Sequence, residues 1–155
     1  MTKVVVGKKV PDFKLSATGG KEIGLSDFQG SKLVIYFYPR DNTPGCTKES
    51  KDFKCKADSF AKHNIKIVGV SRDSISSHEK FKEKYQFPFD LLSDNTEQLC
   101  TLFDVIKQKN MYGKKVRGIE RSTFLIDEKG VLRQEWRKVR VDNHVNEVLE
   151  AALNL

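Results

Sequence analysis

Residues 33–38, from Leu33 to Tyr38, form an unbroken apolar run rich in β-branched and aromatic side chains. Such a run predicts a strand covered on both faces. Ile65 to Val70 and Arg121 to Ile126 repeat the pattern and predict two more buried strands. A shorter alternation at Phe13, Leu15 and Ala17 reads as a short strand; it turns at Gly19-Gly20 and resumes at Ile23 and Leu25. Ser26 to Gly30 reads as a short capped turn. Between the strands the period changes to that of a helix. Helices are predicted from about Gly45 to Lys62, from Ser74 or Ser76 to about Tyr85, and from Asp94 to Ile106. In the last, Leu99, Leu102, Phe103 and Ile106 share a face. A final helix capped by Asp142 or Asn143 runs to Leu155, with Val145, Val148, Leu149 and Ala152 at helical spacing. Phe87 to Leu92 reads as extended, Gln108 to Lys115 as a polar loop, and Asp127 to Gly130 as a hairpin turn into Val131–Val139. Strands alternating with helices, then a hairpin and a helix, imply an α/β layered domain.

Composition bounds this picture without changing it. At 155 residues, with no repeats or linkers, the simplest organisation is one domain over 1–155. With 38% hydrophobic and 32% charged residues, the chain falls in the soluble globular class, and no apolar stretch approaches a membrane span. No secretory signal is evident, so the default compartment is cytoplasmic. The formal charge of +7 is spread along the chain and interleaved with acids, which reads as a solvated basic surface and not a nucleic-acid stripe. The three histidines, His63, His78 and His144, lack ligand spacing and read as surface residues, so no metal or cofactor is expected. Tyr112 and Trp136 read as aromatic packing residues.

The chemistry is signalled by three cysteines, Cys46, Cys55 and Cys100. Three is too few and too odd for a disulfide scaffold, so each begins as a thiol. Cys46 follows the first apolar run across a Pro/Gly turn and falls in the first turn of the predicted helix. On a wheel of about 100° per residue it shares a face with Ser50, Phe53, Ala57, Phe60 and Ala61. A buried core cysteine and an activated nucleophile both fit that position. Thr43 can cap the helix or orient a substrate, Pro44 suits its first turn, and Gly45 allows close approach to the backbone. An ordinary free thiol is only about 3% thiolate at pH 7. A helix terminus contributes roughly 0.3–1 kcal/mol, less than one pKa unit, whereas a nearby cation can contribute about 1–3 units. Activation therefore calls for a cation. Arg121, at the mouth of a buried strand, is the best candidate, with Arg40 as the alternative.

The pattern Pro39-x-x-x-Thr43-x-x-Cys46 is similar to the active-site signature of peroxiredoxins. The stretch from Tyr36 to Glu49 resembles the bacterioferritin comigratory protein (PrxQ) branch of that family. Further matches lie at Leu91–Asp94, Met111–Lys115 and Gly118–Asp127, so the resemblance covers nearly the whole chain in order. It implies a thioredoxin-like fold, a central mixed β-sheet flanked by helices, and a thiol-dependent peroxidase that acts through a Cys46 sulfenic acid. By resemblance, Thr43 hydrogen-bonds the peroxide, Arg121 holds the thiolate and the peroxide oxygens, Pro39 shields the pocket from water, and Glu49 orients Arg121. A monomer is implied in the same way.

The pattern breaks at the second cysteine. Many members of this branch carry a resolving cysteine five residues after the first, where this chain has Lys51. Others carry it on the next helix, where Lys80, Lys82 and Lys84 stand. Cys55 is nine positions from Cys46, about 13.5 Å along the helix and about 180° around it, too far for a disulfide without unwinding. Cys100 flanks an apolar helix face and reads as a packed thiol. The preferred expectation is one-cysteine behaviour, with thioredoxin, glutaredoxin or glutathione as external reductant. The alternatives are resolution by Cys55 or Cys100, a peroxide-sensing thiol switch with poor turnover, and a silent interaction domain.

Overall fold

The fold is a computed structural model that describes residues 3–155, apart from the side chains of Lys109 and Met111. Strands β1 (Lys14–Ala17) and β2 (Lys21–Gly24) form an antiparallel pair. A single 3₁₀ turn over Leu25–Phe28 leads to β3 (Lys32–Phe37), and helix α1 (Pro44–Lys62) follows. Next come β4 (Ile65–Ser71), α2 (Ile75–Tyr85), β5 (Asp90–Ser93) and the short α3 (Gln98–Leu102). The hairpin β6 (Ile106–Met111) and β7 (Lys114–Ile119) precedes β8 (Ser122–Ile126), β9 (Leu132–Trp136) and α4 (His144–Leu153).

Seven strands make one sheet in the order β2-β1-β5-β4-β3-β8-β9. The centre, β5-β4-β3, is parallel, and the flanking strands are antiparallel. This mixed α/β sheet is the layering expected from the sequence. The unbroken apolar run of β3 has its reason here. Leu33, Ile35 and Phe37 enter one core with Val70, Leu92, Leu99, Phe103 and Phe124. Val34, Tyr36 and Tyr38 enter a second core with Phe53, Phe60, Phe81, Leu91 and Val148. Successive side chains point to opposite faces, so a strand between two cores must be apolar throughout. Gly69 on β4 makes room in the second core: a Cβ there would lie 2.8 Å from the Tyr36 ring. The ring stacks on Phe53 at 4.5 Å, and its hydroxyl is 2.9 Å from Ser50 on α1.

Three expectations fail. The helix expected over Asp94–Ile106 is confined to Gln98–Leu102, bracketed by left-handed residues Glu97 (φ 62°) and Asp104 (φ 55°). Asp94 starts it from outside, its carboxylate accepting the N–H groups of Leu99 and Cys100 at 3.0 and 2.6 Å. The polar loop expected at Gln108–Lys115 is the centre of the β6–β7 hairpin, which turns at Tyr112-Gly113 with both φ positive. That is two-residue hairpin geometry, and its polar strands lie outside the large sheet, where no apolar alternation marks them. Finally, Ala61, on the wheel face of Cys46, is exposed, although Phe60 beside it is fully buried.

Candidate functional site

Cys46 lies in the first turn of α1, where the chain leaves β3. Its side chain belongs to the second core and is 1% exposed. Antiparallel pairing of Phe37 with Ser122 places Arg121 across the end of β3, beside that turn. Arg121 Nη2 donates to Cys46 Sγ at 3.4 Å, and Nη1 donates to Glu49 Oε1 at 2.7 Å. Glu49 is one helical turn beyond Cys46, on the same buried face. The guanidinium thus bridges two acids of one helix. Gly45 eases the approach, since a Cβ at that position would lie 3.1 Å from Arg121 Nη2 and push the guanidinium back by a few tenths of an ångström.

The electrostatics follow from burial. Burial pushes the Glu49 carboxyl up to about 7, against the pull of Arg121. Its second oxygen, Oε2, is buried with no hydrogen-bond partner. For Arg121, burial works against the charge, but Glu49 and Cys46 outweigh it and hold the guanidinium protonated. The side chain of Arg121 remains 16% exposed. It lines an open recess of about 820 Å³ with Pro39, Gln108, Lys138 and Val139. The recess thus gives solvent access to Arg121, which in turn touches Cys46.

Thr43 is the N-cap residue of α1 in backbone position, with its carbonyl accepting from Thr47 N–H at 2.8 Å. Its hydroxyl makes no capping bond and instead donates to Arg40 O at 2.9 Å. That bond leaves the hydroxyl oxygen's lone pairs able to accept from a ligand. Arg40 itself is exposed.

The surface reading of the histidines holds only for His63; His78 and His144 are buried. His144, at the start of α4, shares a hydrogen bond of 2.8 Å with Thr123 and meets Trp136 edge-on. Burial, helped by the charge of Arg121, lowers it to about 4, so the imidazole is neutral. His78 is clamped between Asp41 Oδ2 (2.7 Å to Nδ1) and the carbonyl of Leu92 (2.9 Å to Nε2). Two acceptors facing both ring nitrogens require a proton on each nitrogen, or one on Asp41. Asp41 also accepts from Tyr38 at 2.6 Å and Ser77 at 2.8 Å, and its N–H donates to Asp73. Asp41, Asp73 and His78 therefore form one cluster, contrary to the expectation of isolated histidines. The cluster ties the 39–43 loop to α2 and β5. No local spacing signals it, since the partners come from distant segments.

The other two cysteines are not brought to Cys46. Cys55 is exposed on the outer face of α1, in a recess with Lys48, Lys56 and Asn146. Cys100 is buried in the first core, across the sheet from Cys46. Burial, reinforced by Asp94, pushes its thiol far up and keeps it protonated.

Residues 6–135 match the profile of the AhpC/TSA family. The chain belongs to that family. Its sheet and helices are the thioredoxin-like arrangement of the peroxiredoxins, and its activity is that of a thiol-dependent peroxidase. Peroxiredoxin Bcp of Bacillus subtilis is 50% identical over 147 residues, covering 95% of this chain and 94% of that one. Peroxiredoxin Bcp of Xanthomonas campestris is 54% identical over 140 residues, covering 90% and 88%. Among solved structures, a bacterioferritin comigratory protein of Xanthomonas campestris, studied for alkyl peroxide reduction, superposes with a TM-score of 0.88. It is 52% identical, with 92% of this chain and 90% of that one covered. A Cys-to-Ser mutant of PrxQ from Xylella fastidiosa gives 0.93 at 40% identity, with 99% and 98% covered. Among the described residues, no helix is long and apolar enough to cross a membrane.

Proposed function

We propose that Cys46 is the nucleophile of this peroxidase and that Arg121 is its activating cation. The 3.4 Å contact between Arg121 Nη2 and Cys46 Sγ carries the reading. The Cys46 thiolate attacks the terminal oxygen of a hydroperoxide; an S–O bond forms and the O–O bond breaks. Sulfur is oxidised to the sulfenic acid, and the leaving alkoxide or hydroxide takes a proton from water. A planar guanidinium can follow the charge as it moves from sulfur to oxygen. Thr43 accepts from the peroxide O–H, Pro39 narrows access from the recess, and Glu49 anchors Arg121. The relative studied for alkyl peroxide reduction supports organic hydroperoxides as substrates besides hydrogen peroxide.

The second half of the cycle is assigned to an external thiol, with thioredoxin, glutaredoxin and glutathione as candidates. Its attack on the sulfenic sulfur forms a mixed disulfide and releases water, and a second thiol then frees Cys46. The placement of Cys55 on the outer helix face and Cys100 across the sheet favours this one-cysteine route. The same placement favours, as a second reading, a peroxide-sensing switch whose sulfenic acid persists. The organisation proposed is one domain acting as a monomer in the cytoplasm.

Intact-mass measurement after one equivalent of peroxide, on the parent and on each Cys→Ser variant, tests both halves. The assignment expects a single-oxygen adduct that is lost only in Cys46→Ser. Rapid oxidation of that variant would refute the nucleophile. A disulfide mass that disappears in Cys55→Ser or Cys100→Ser would refute the one-cysteine route.

A further inference from the structure

Arg121 is the one cation that touches either acid of the buried pair, Cys46 and Glu49, among the described residues. The other groups facing the pair cannot neutralise a second negative charge. Tyr36, from β3, is buried and bonded to Ser50, and burial pushes its phenol well up, so it is neutral. His144, from α4, is neutral beside Arg121. Asp52, one turn further along α1, adds a negative charge that opposes ionisation of Glu49. A buried carboxylate normally spreads its charge over donors to both oxygens. Here Oε1 receives one N–H from Arg121 and Oε2 receives none.

We propose that Cys46 and Glu49 compete for Arg121, so that the resting site holds one negative charge, and that Glu49 keeps the proton whenever Cys46 is a thiolate. This rests on the assignment of Cys46 as nucleophile. Glu49 thereby becomes a positioning residue with a second consequence: its ionisation opposes that of the thiol. Two acids that share one cation titrate as a coupled pair, and each ionises more readily when the other cannot. The proton passes between the two groups or exchanges with solvent, and no other reactant is consumed.

The test is the pH profile of Cys46 oxidation by hydrogen peroxide, read by quenched intact mass in the parent and in Glu49→Gln. The amide retains an oxygen for Arg121 Nη1 but cannot ionise. The profile of the variant is expected to move to lower pH, with oxidation roughly tenfold faster on its acid side, the size of a one-unit coupling. A profile that loses amplitude without moving, or that moves to higher pH, overturns the coupling and leaves Glu49 as an anchor only. Should Glu49→Gln not fold, the reciprocal measurement decides. Isotope-edited infrared spectra of glutamate-labelled parent and Cys46→Ser follow the protonated carboxyl. The coupling expects Glu49 to ionise at lower pH in Cys46→Ser, and an unchanged pH overturns it. Failure of the parent to oxidise at Cys46 would overturn the proposed function instead, so the two failures are distinct.

Discussion

Replacing Arg121 by methionine removes the guanidinium but keeps much of its apolar stem, and the consequence depends on pH. The Glu49 carboxyl is buried and raised to about 7 even with Arg121 beside it. Above that pH the variant must either bury an unpaired carboxylate or protonate it. Protonation caps the cost of the unpaired carboxylate at about 1.4 kcal/mol for each pH unit above 7. Near pH 5 Glu49 is already protonated, and only a hydrogen bond is lost, about 1 kcal/mol. The destabilisation is thus expected to shrink by about 1.4 kcal/mol between about pH 8 and pH 5. Urea unfolding followed by Trp136 fluorescence measures it at each pH. The double variant Arg121→Met/Glu49→Gln should recover most of the stability at pH 8 but not the peroxide reaction. Oxidation of Cys46 should remain at least about 100-fold slow, the scale of losing a donor aimed at developing charge. An equal loss of stability at both pH values, or no recovery in the double variant, would refute the account of a buried charge held by Arg121.

Gly45→Ala is expected to leave stability unchanged or raise it by up to about 1 kcal/mol, because alanine is the better helix former. The same change should slow Cys46 oxidation several-fold, since the new Cβ lies 3.1 Å from Arg121 Nη2; unaltered kinetics would contradict the close-approach argument. For the two shifted groups the signs oppose. His144 is lowered from 6.5 to about 4, so its contribution to stability is present above 6.5 and lost as pH falls through 4. Glu49 is raised from 4.5 to about 7, so its contribution is present below 4.5 and lost as pH rises through 7. The two slopes offset each other between those ranges. His144→Gln should expose the Glu49 slope as a loss of about 2 kcal/mol from pH 4.5 to 6.5, and a flat urea-stability profile in that variant would count against it. His78→Ala removes one of the three side-chain partners of the buried Asp41 and should destabilise by about 1–3 kcal/mol. Peroxide oxidation should slow as well, because the 39–43 loop keeps only Ser77 as its tie from Asp41 to α2; full activity in a stable variant would show that the cluster does not position the site.

Periodicity alone carried the strands at the sheet centre, since Leu33–Tyr38 and Ile65–Val70 are apolar on both faces and only a sheet between two cores accommodates that. It also carried α1, α2 and α4 to within a few residues of their ends. It failed where local signals competed, as in the polar β6–β7 hairpin and the α3 segment closed by left-handed residues. At the site, Cys46, Thr43 and Pro39 were legible because they share one short segment with its own turn chemistry. Arg121 was legible as a need for a cation, but its place beside Cys46 depends on the antiparallel register that pairs Phe37 with Ser122. The unpartnered oxygen of Glu49, the neutral His144 and the Asp41–His78 clamp were decided only by tertiary structure. A charge state depends on the burial and neighbours that distant segments supply, and local sequence encodes neither.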